Sequence, residues 1–364
     1  MGGGVAVVGL GVMGACTLWR LAARGIAATG FERFQPGHDQ GASHGETRII
    51  RTAYYEGAEY VPLAEESFGL WRELEAASGR DLLTMTGALM IGGPDSELVS
   101  GALHSARLHG LEHDLLEAEA IRSRFPQHQL TEGTVALYEE AAGVLRPEAC
   151  VLAAVEVAQR LGAEVRGGRP APGLTELEAA HDHVVVCAGA WLPELLPDLR
   201  VEVERQVMAW FRPRDVAEFR PDRFPVFMRQ MPEGGDRFGV PALDGDLVKI
   251  GIHHEGERTD IAHIDREIRD RDRLLVEEFV AATLPGLEPE VVRAKVCMYT
   301  NTPDRHFLVG AAPGRANVTV LGGFSGHGFK FASVLGDIAA DLATEGRTAH
   351  PIDLFNPARA LIRA

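Results

Sequence analysis

Lysine is nearly missing from this chain. Of 36 basic residues only Lys249, Lys295 and Lys330 are lysine; the rest are arginine. Positive charge is also outnumbered, 36 basic residues against 52 acidic, for a net charge of −16. Such a surface repels phosphate backbones and anionic lipid, so neither a nucleic acid nor a membrane is an expected partner. Cysteine is sparse. Cys16, Cys150, Cys187 and Cys297 are widely scattered, with no C-x-x-C and no Cys/His cluster. That pattern excludes a disulfide framework and gives no zinc site, so no metal is expected. No apolar run approaches the roughly 20 residues that a membrane-spanning helix needs. The first residues lack a basic segment and a cleavage site, so they do not read as a signal peptide. The expected compartment is the cytoplasm. Internal repeats, low-complexity segments and linkers are also lacking.

The stretch from Gly4 to Phe34 is the most informative. Gly4-Val5-Ala6-Val7-Val8 is a short apolar run suited to a buried parallel strand. It leads into Gly9-Leu10-Gly11-Val12-Met13-Gly14, a G-x-G-x-x-G turn. Ala15 to Arg24 reads as a helix closed by Gly25, and Ile26 to Phe31 reads as a second strand ending at Glu32. Each part suits a dinucleotide. Gly9 permits the tight turn, Gly11 lets backbone N–H groups reach a pyrophosphate, and Gly14 lets helix and strand pack closely. The helix N-terminus attracts phosphate, and Glu32 can accept hydrogen bonds from a ribose. Strand, turn, helix, strand and acid together specify a dinucleotide site, with NAD and FAD both open.

A length of 364 residues suits two domains sharing one site. Gln35 to Arg51 is rich in Gly, His and Ser and brings His44, Arg48 and Arg51 close together. If helical, the two arginines share a face, and such a pair suits a carboxylate. Tyr60 to Ala77, Ser96 to Leu111, Glu148 to Leu161 and Ile264 to Thr283 read as helices. Strands are expected at Leu82 to Ile91, Val184 to Val186, Val201 to Phe211, Phe238 to Ile252 and Val291 to Tyr299. Near the end, Val318 to Leu321 runs into a glycine turn, Gly322 to Lys330, and a helix from Phe331 to Thr344. This unit repeats the form of the first. Alternating strands and helices imply a parallel sheet, and the strand-rich middle implies a second, mostly antiparallel domain.

Several blocks carry a specific resemblance. Gly41-Ala42-Ser43-His44-Gly45-Glu46-Thr47-Arg48-Ile49-Ile50-Arg51, Val296-Cys297-Met298-Tyr299-Thr300 and Gly323-Phe324-Ser325-Gly326-His327-Gly328-Phe329-Lys330-Phe331 resemble the monomeric sarcosine oxidase and N-methyltryptophan oxidase family. That family lies within the D-amino-acid-oxidase-like flavoproteins, and the resemblance spans nearly the whole chain. Ser325 to Ala343, Val186 to Trp191 and Ala209-Trp210 look most like the N-methyltryptophan branch. The resemblance implies a mixed α/β fold, with a Rossmann-like FAD-binding domain (1–81, 142–202 and 298–364) and a substrate domain (82–141 and 203–297). It implies FAD rather than NAD, and a monomer.

By position, Cys297 matches the cysteine bonded to the flavin, with Lys295 as a neighbouring cation. Lys249 matches the lysine associated with oxygen activation. Read without the resemblance, Lys249 is a lone cation in an apolar strand, costly unless functional or paired. A chain that otherwise uses arginine retains lysine where a compact point charge is needed. Arg51 and Lys330 match the pair that binds the substrate carboxylate, His253 a histidine lining the substrate pocket, and His44 and Arg48 residues close to the flavin. Met228, Phe238, Tyr299 and Gly326 are expected around the substrate, and Gly323 and Gly328 against the cofactor. Three departures stand out. Phe238 replaces an active-site tyrosine, Leu18 replaces a small residue, and the 167–180 segment, with Ala171 near the adenine contact, is shorter than the family's hairpin.

The implied activity is oxidation of a secondary, N-methyl amino acid to an imine, with O2 reduced to hydrogen peroxide. Three alternatives stay open: an oxidase of a cyclic imino acid or biosynthetic amine, a flavin dehydrogenase using another acceptor, and a non-catalytic dinucleotide-binding sensor.

Overall fold

The computed structural model describes residues 3–359. Its first sheet has six strands in the order Leu308–Ala311, Val318–Gly322, His183–Val186, Val5–Val8, Ala28–Phe31, Glu164–Arg166. All neighbours are parallel except the Leu308–Ala311 and Val318–Gly322 hairpin. Val5–Val8 is buried at every position because the sheet is covered on both faces. Val5 and Val7 point into a core made with the helices Val12–Ala23, Val61–Ser78, Pro147–Arg160 and Ala332–Glu345. Ala6 and Val8 alternate to the opposite face, against Leu174, Leu192 and Leu196. Leu18, the expected misfit, is fully buried. A side chain on Gly30 would meet it at 3.0 Å, so the bare backbone of Gly30 makes the room it occupies.

The second sheet has nine strands. Eight run in the order Glu257–Thr259, Glu202–Pro213, Val248–His253, Asp236–Val240, Val226–Gln230, Ala88–Gly92, Val135–Glu139, Asp114–Glu117, and Leu287–Asn301 also pairs with Glu202–Pro213. It is antiparallel apart from the Val226–Gln230 and Ala88–Gly92 pair. Period-two alternation divides its central strand. Val248 and Ile250 enter a core under the helix Asp270–Thr283, while Lys249 and His253 face the other way.

Two expected elements differ. Arg48–Ile50 is a strand, paired antiparallel with Gly143–Leu145, which pairs in turn with Leu83–Met85. The three-residue spacing of the arginines therefore does not place them on one helical face. The helix expected from Ile264 begins only at Asp270, because Asp265 and Glu267 turn their carbonyls to the buried Arg205.

Candidate functional site

One cavity runs from the glycine turn after Val5–Val8 to the inner face of the nine-stranded sheet. At the turn, Gly9 has φ +88, and a side chain on Gly14 would stand 1.8 Å from the Gly9 carbonyl oxygen. The helix that follows has no acid in its first turn and no side chain on its N-cap residue, Gly11; the Val12 N–H donates to the Ser43 hydroxyl at 3.0 Å, so a neutral group alone meets its positive end. Glu32 lines the cavity nearby and accepts from the N–H groups of Leu10 at 2.7 Å and Phe34 at 2.9 Å. Burial works against its charge, but His38 and these N–H groups prevail and hold its carboxyl below the usual range. Glu32 thus fixes the turn as well as facing the cavity.

The far end is rich in cations. Arg51 is 2% exposed; its guanidinium donates to both oxygens of Glu56, at 2.8 and 2.6 Å, and to the Ala53 carbonyl at 3.0 Å. Burial opposes the Arg51 charge, and Glu56 more than offsets it, so the group stays charged. Glu139, fully buried, accepts from the N–H groups of Thr52 and Ala53 and from the Thr52 hydroxyl, which fixes the backbone beside Arg51.

Lys330, 5% exposed, donates to the His327 carbonyl at 2.7 Å and to the Tyr54 hydroxyl at 3.2 Å. Burial first, then Arg51, pulls its pKa down to about 7. His327 Nε2 faces the Arg305 carbonyl at 3.1 Å and so carries the proton, which leaves Nδ1 to accept from Tyr54 at 2.7 Å.

The sheet supplies the remaining wall by register. Met228 opposes Phe238, Phe238 opposes Gly251, Trp210 opposes Lys249, and Gln206 opposes Cys297. Lys249 is 3% exposed and donates to the carbonyls of Gly45 at 3.0 Å and Thr47 at 2.9 Å, and to the Thr47 hydroxyl at 3.2 Å. Burial, then Arg48, pushes its pKa well below the ordinary lysine value. His253 shares a hydrogen bond with the Tyr299 hydroxyl at 3.1 Å, and burial keeps it neutral, with His254 adding to the effect. The Cys297 sulfur is buried, and Arg48 Nη2 approaches it at 3.6 Å. Lys295, the cation expected there, instead pairs with Asp39 at 3.1 Å on the surface.

Residues 4–342 match the profile of a family described as FAD dependent oxidoreductase. The chain belongs to that family. Monomeric sarcosine oxidase of Streptomyces avermitilis is 42% identical, over 98% of this chain and 97% of the relative. N-methyl-L-tryptophan oxidase of Escherichia coli is 32% identical, over 97% and 98%. The solved structure of NikD, an unusual amino acid oxidase essential for nikkomycin biosynthesis, is 24% identical and superposes with a TM-score of 0.85 over all of both chains. The fold is therefore that of the FAD-dependent amino acid oxidases.

The residues present fit FAD. The acid-free helix start with the Ser43 hydroxyl, the glycine turn and Glu32 form a nucleotide cradle, and the same cavity continues past Pro170 and Ala171 and past Arg48 to the sheet. Arg48, Arg51, Met228, Phe238, Lys249, His253, Cys297, Tyr299, Gly326, Gly328 and Lys330 line this FAD-dependent oxidoreductase's cavity together with Gly9, Gly11 and Glu32. Gly14, Gly323 and His44 do not line it. His44 is fully buried beside the cavity, with both ring nitrogens unpartnered and its pKa driven down to about 3, by burial first and Arg48 second. Sequence reasoning missed Glu56 and His327. His327 stands between Gly326 and Gly328 in the glycine turn after Val318–Gly322, so its position was a usable signal. Glu56 had none, because only the turn after Arg51 brings its carboxylate back to the guanidinium.

Proposed function

We propose that the protein oxidises the C–N bond of a secondary, N-methyl amino acid, with O2 reduced to hydrogen peroxide. The observation that carries this reading is that Arg51, Lys330, His253 and Lys249 line the same cavity as the dinucleotide turn. Bound FAD would supply the two-electron redox chemistry between the amine and O2. The chain's own groups do the rest. Arg51 and Lys330 receive the carboxylate, the Arg51 fork turning part of its hydrogen bonding from Glu56 to the substrate. Arg51, joined below about pH 7 by Lys330, disfavours a further positive charge, so the substrate nitrogen enters as the free amine with its lone pair available. Neutral His253 and Tyr299 add no competing charge, and Met228 and Phe238 give the substituent an apolar wall. The imine formed is hydrolysed by water to formaldehyde and the primary amino acid. Negative charge developing on O2 is met by the ammonium of Lys249.

Cys297 is the residue that would hold the flavin covalently, and the Arg48 guanidinium, 3.6 Å from its sulfur, would favour the thiolate form. The division into an FAD domain (1–81, 142–202, 298–364) and a substrate domain (82–141, 203–297) follows the two large sheets. Its last boundary lies inside the strand Leu287–Asn301. A monomeric cytoplasmic enzyme fits four buried free cysteines and the name of the Streptomyces relative. A cyclic imino acid is the second reading, favoured by Phe238, which leaves that wall without a hydroxyl. Adding N-methyl amino acids and cyclic imino acids without air should bleach the flavin with the former, and admitting air should return the colour with one H2O2 per turnover. Bleaching by imino acids alone would transfer the activity to the second reading. Slow return of colour in air, speeded by an artificial acceptor, would make the protein a dehydrogenase.

A further inference from the structure

Lys249 is a buried cation whose direct ligands are all neutral oxygens: two carbonyls and one hydroxyl of the 45–47 turn. The peptide unit joining Gly45 to Glu46 has a carboxylate on its other side. Its carbonyl accepts from Lys249 Nζ at 3.0 Å, and its N–H donates to Glu148, at 3.2 Å to Oε2 and 3.3 Å to Oε1. The preceding N–H, of Gly45, donates to Glu148 Oε1 at 2.7 Å. Two successive N–H groups point at one carboxylate because the turn has φ +97 at Gly45 and φ +69 at Glu46. The second value is a left-handed conformation that a residue with a side chain adopts only under constraint. Glu148 stands in the first turn of the helix Pro147–Arg160, where a carboxylate is favoured, and it makes no ion pair among the described residues.

We propose that Glu148 is the counter-charge of Lys249, acting on it through the single peptide bond between Gly45 and Glu46. A carboxylate on the N–H side polarises that peptide and deepens the negative charge on the carbonyl oxygen that holds the ammonium. The arrangement supplies a compensating charge without placing a carboxylate against the lysine, where it would cancel the cation's field toward the cavity. The other charged or titratable groups around Lys249 do not replace it. Arg48 opposes the ammonium and His44 is held neutral; Cys297 supports the ammonium more than Glu148 does, but only as a thiolate, and on the reading above its sulfur is bonded to the flavin and carries no charge. Glu46 is half exposed and tied to Arg293 at 2.6 Å. Glu148 is thus a positioning residue that keeps the ammonium protonated. Its consequence for oxygen rests on the role given to Lys249 above; its coupling to the lysine does not.

Lysine scarcity makes the test direct. Protein grown on 13C-labelled lysine has three side-chain signals, assigned with Lys249→Met and Lys330→Met, and each titrates with its own pKa. In Glu148→Gln, which keeps the shape and one acceptor, the Lys249 pKa should fall by about one pH unit, the scale of removing one nearby charge. Lys330 should not move. Glu46→Gln should shift Lys249 less than Glu148→Gln does. An unmoved Lys249 in Glu148→Gln overturns the proposal. So does a larger shift in Glu46→Gln than in Glu148→Gln, and a full-sized shift there overturns it even if Glu148→Gln fails to fold. Flavin reoxidation by O2 in Glu148→Gln should slow about threefold at a pH midway between the two Lys249 values and approach tenfold above both, with reduction by substrate unchanged. If Lys249→Met reoxidises normally, the oxygen role fails while the coupling, read from the lysine signals, stands on its own.

Discussion

Lys249 and Lys330 line the same cavity, both almost fully buried, yet their surroundings differ in kind. Lys249 lies on a sheet strand among neutral oxygens, beside the Trp210 ring, with its carboxylate one peptide bond away. Lys330 lies in the 3-10 turn Phe329–Phe331, next to Arg51, whose guanidinium is already paired with Glu56. A cation held by neutral oxygens suits a small neutral molecule that becomes charged only during reaction. A cluster of cations suits a ligand that arrives as an anion. On the proposed reading one residue type serves two tasks, and the neighbours decide which.

Loss of the cysteine should have the largest effect, since on the proposed reading it removes the covalent anchor of the flavin that both lysines face. Protein precipitated by acid should keep its yellow colour, and Cys297→Ser should release all of it to the supernatant. Colour in the supernatant of the unaltered protein would refute covalent attachment. Next, Lys249→Met should slow reoxidation of the reduced enzyme by ~10²-fold or more, the scale of losing one preorganised electrostatic group. Reduction by substrate should fall much less, and Lys249→Arg should not restore the rate, because a planar fork does not fit a lysine-sized site. Equal losses in both half-reactions, with a lowered melting temperature, would reduce Lys249 to a strut for its strand.

Arg51→Met and Lys330→Met should show the converse pattern. Each should weaken simple carboxylate inhibitors by roughly 10–150-fold, the loss of one charge-assisted contact of about 1.5–3 kcal/mol, while reoxidation stays close to normal. Equilibrium titration of flavin absorbance reads the affinity directly. Unchanged affinity in both variants would remove the clamp and with it the contrast between the two lysines.

The two ends of the cavity differ in how far they could be read from the sequence. The glycine turn, its strand and its helix are contiguous, and each residue's task follows from local backbone geometry, so that end was legible. Lys249 was also legible, because a lone charge in an apolar strand within a lysine-poor chain demands an explanation. The spacing of Arg48 and Arg51 fitted a helix as well as a strand. Only pairing with Gly143–Leu145, far along the chain, decides it. Glu56 closing on Arg51, Arg48 rather than Lys295 at the Cys297 sulfur, and the parallel Val226–Ala88 pair are likewise consequences of tertiary packing that no local pattern encodes.

The smallest effect, and the finest test of the two-lysine contrast, is in pH. The Lys330 pKa is pulled down to about 7, by burial first and by Arg51 second. The group is therefore charged below that pH and neutral above it, whereas an ordinary lysine stays charged until about pH 10. A simple carboxylate inhibitor is itself ionised throughout that range. Its affinity should be constant below pH 7 and then fall as pH rises, by up to about tenfold per unit, until the Lys330 contribution is gone. Arg51 remains charged and leaves a residual, pH-independent affinity. Lys330→Met should show that residual value at every pH, which assigns the titration to this lysine. Lys249→Met should keep the full pH dependence, since its ammonium is not part of the clamp. Affinity that is flat between about pH 6 and pH 9 in the unaltered protein would mean that Lys330 titrates as an ordinary lysine or lies outside the clamp. Loss of the pH dependence in Lys249→Met would give the two lysines a shared task and undo the distinction drawn between them.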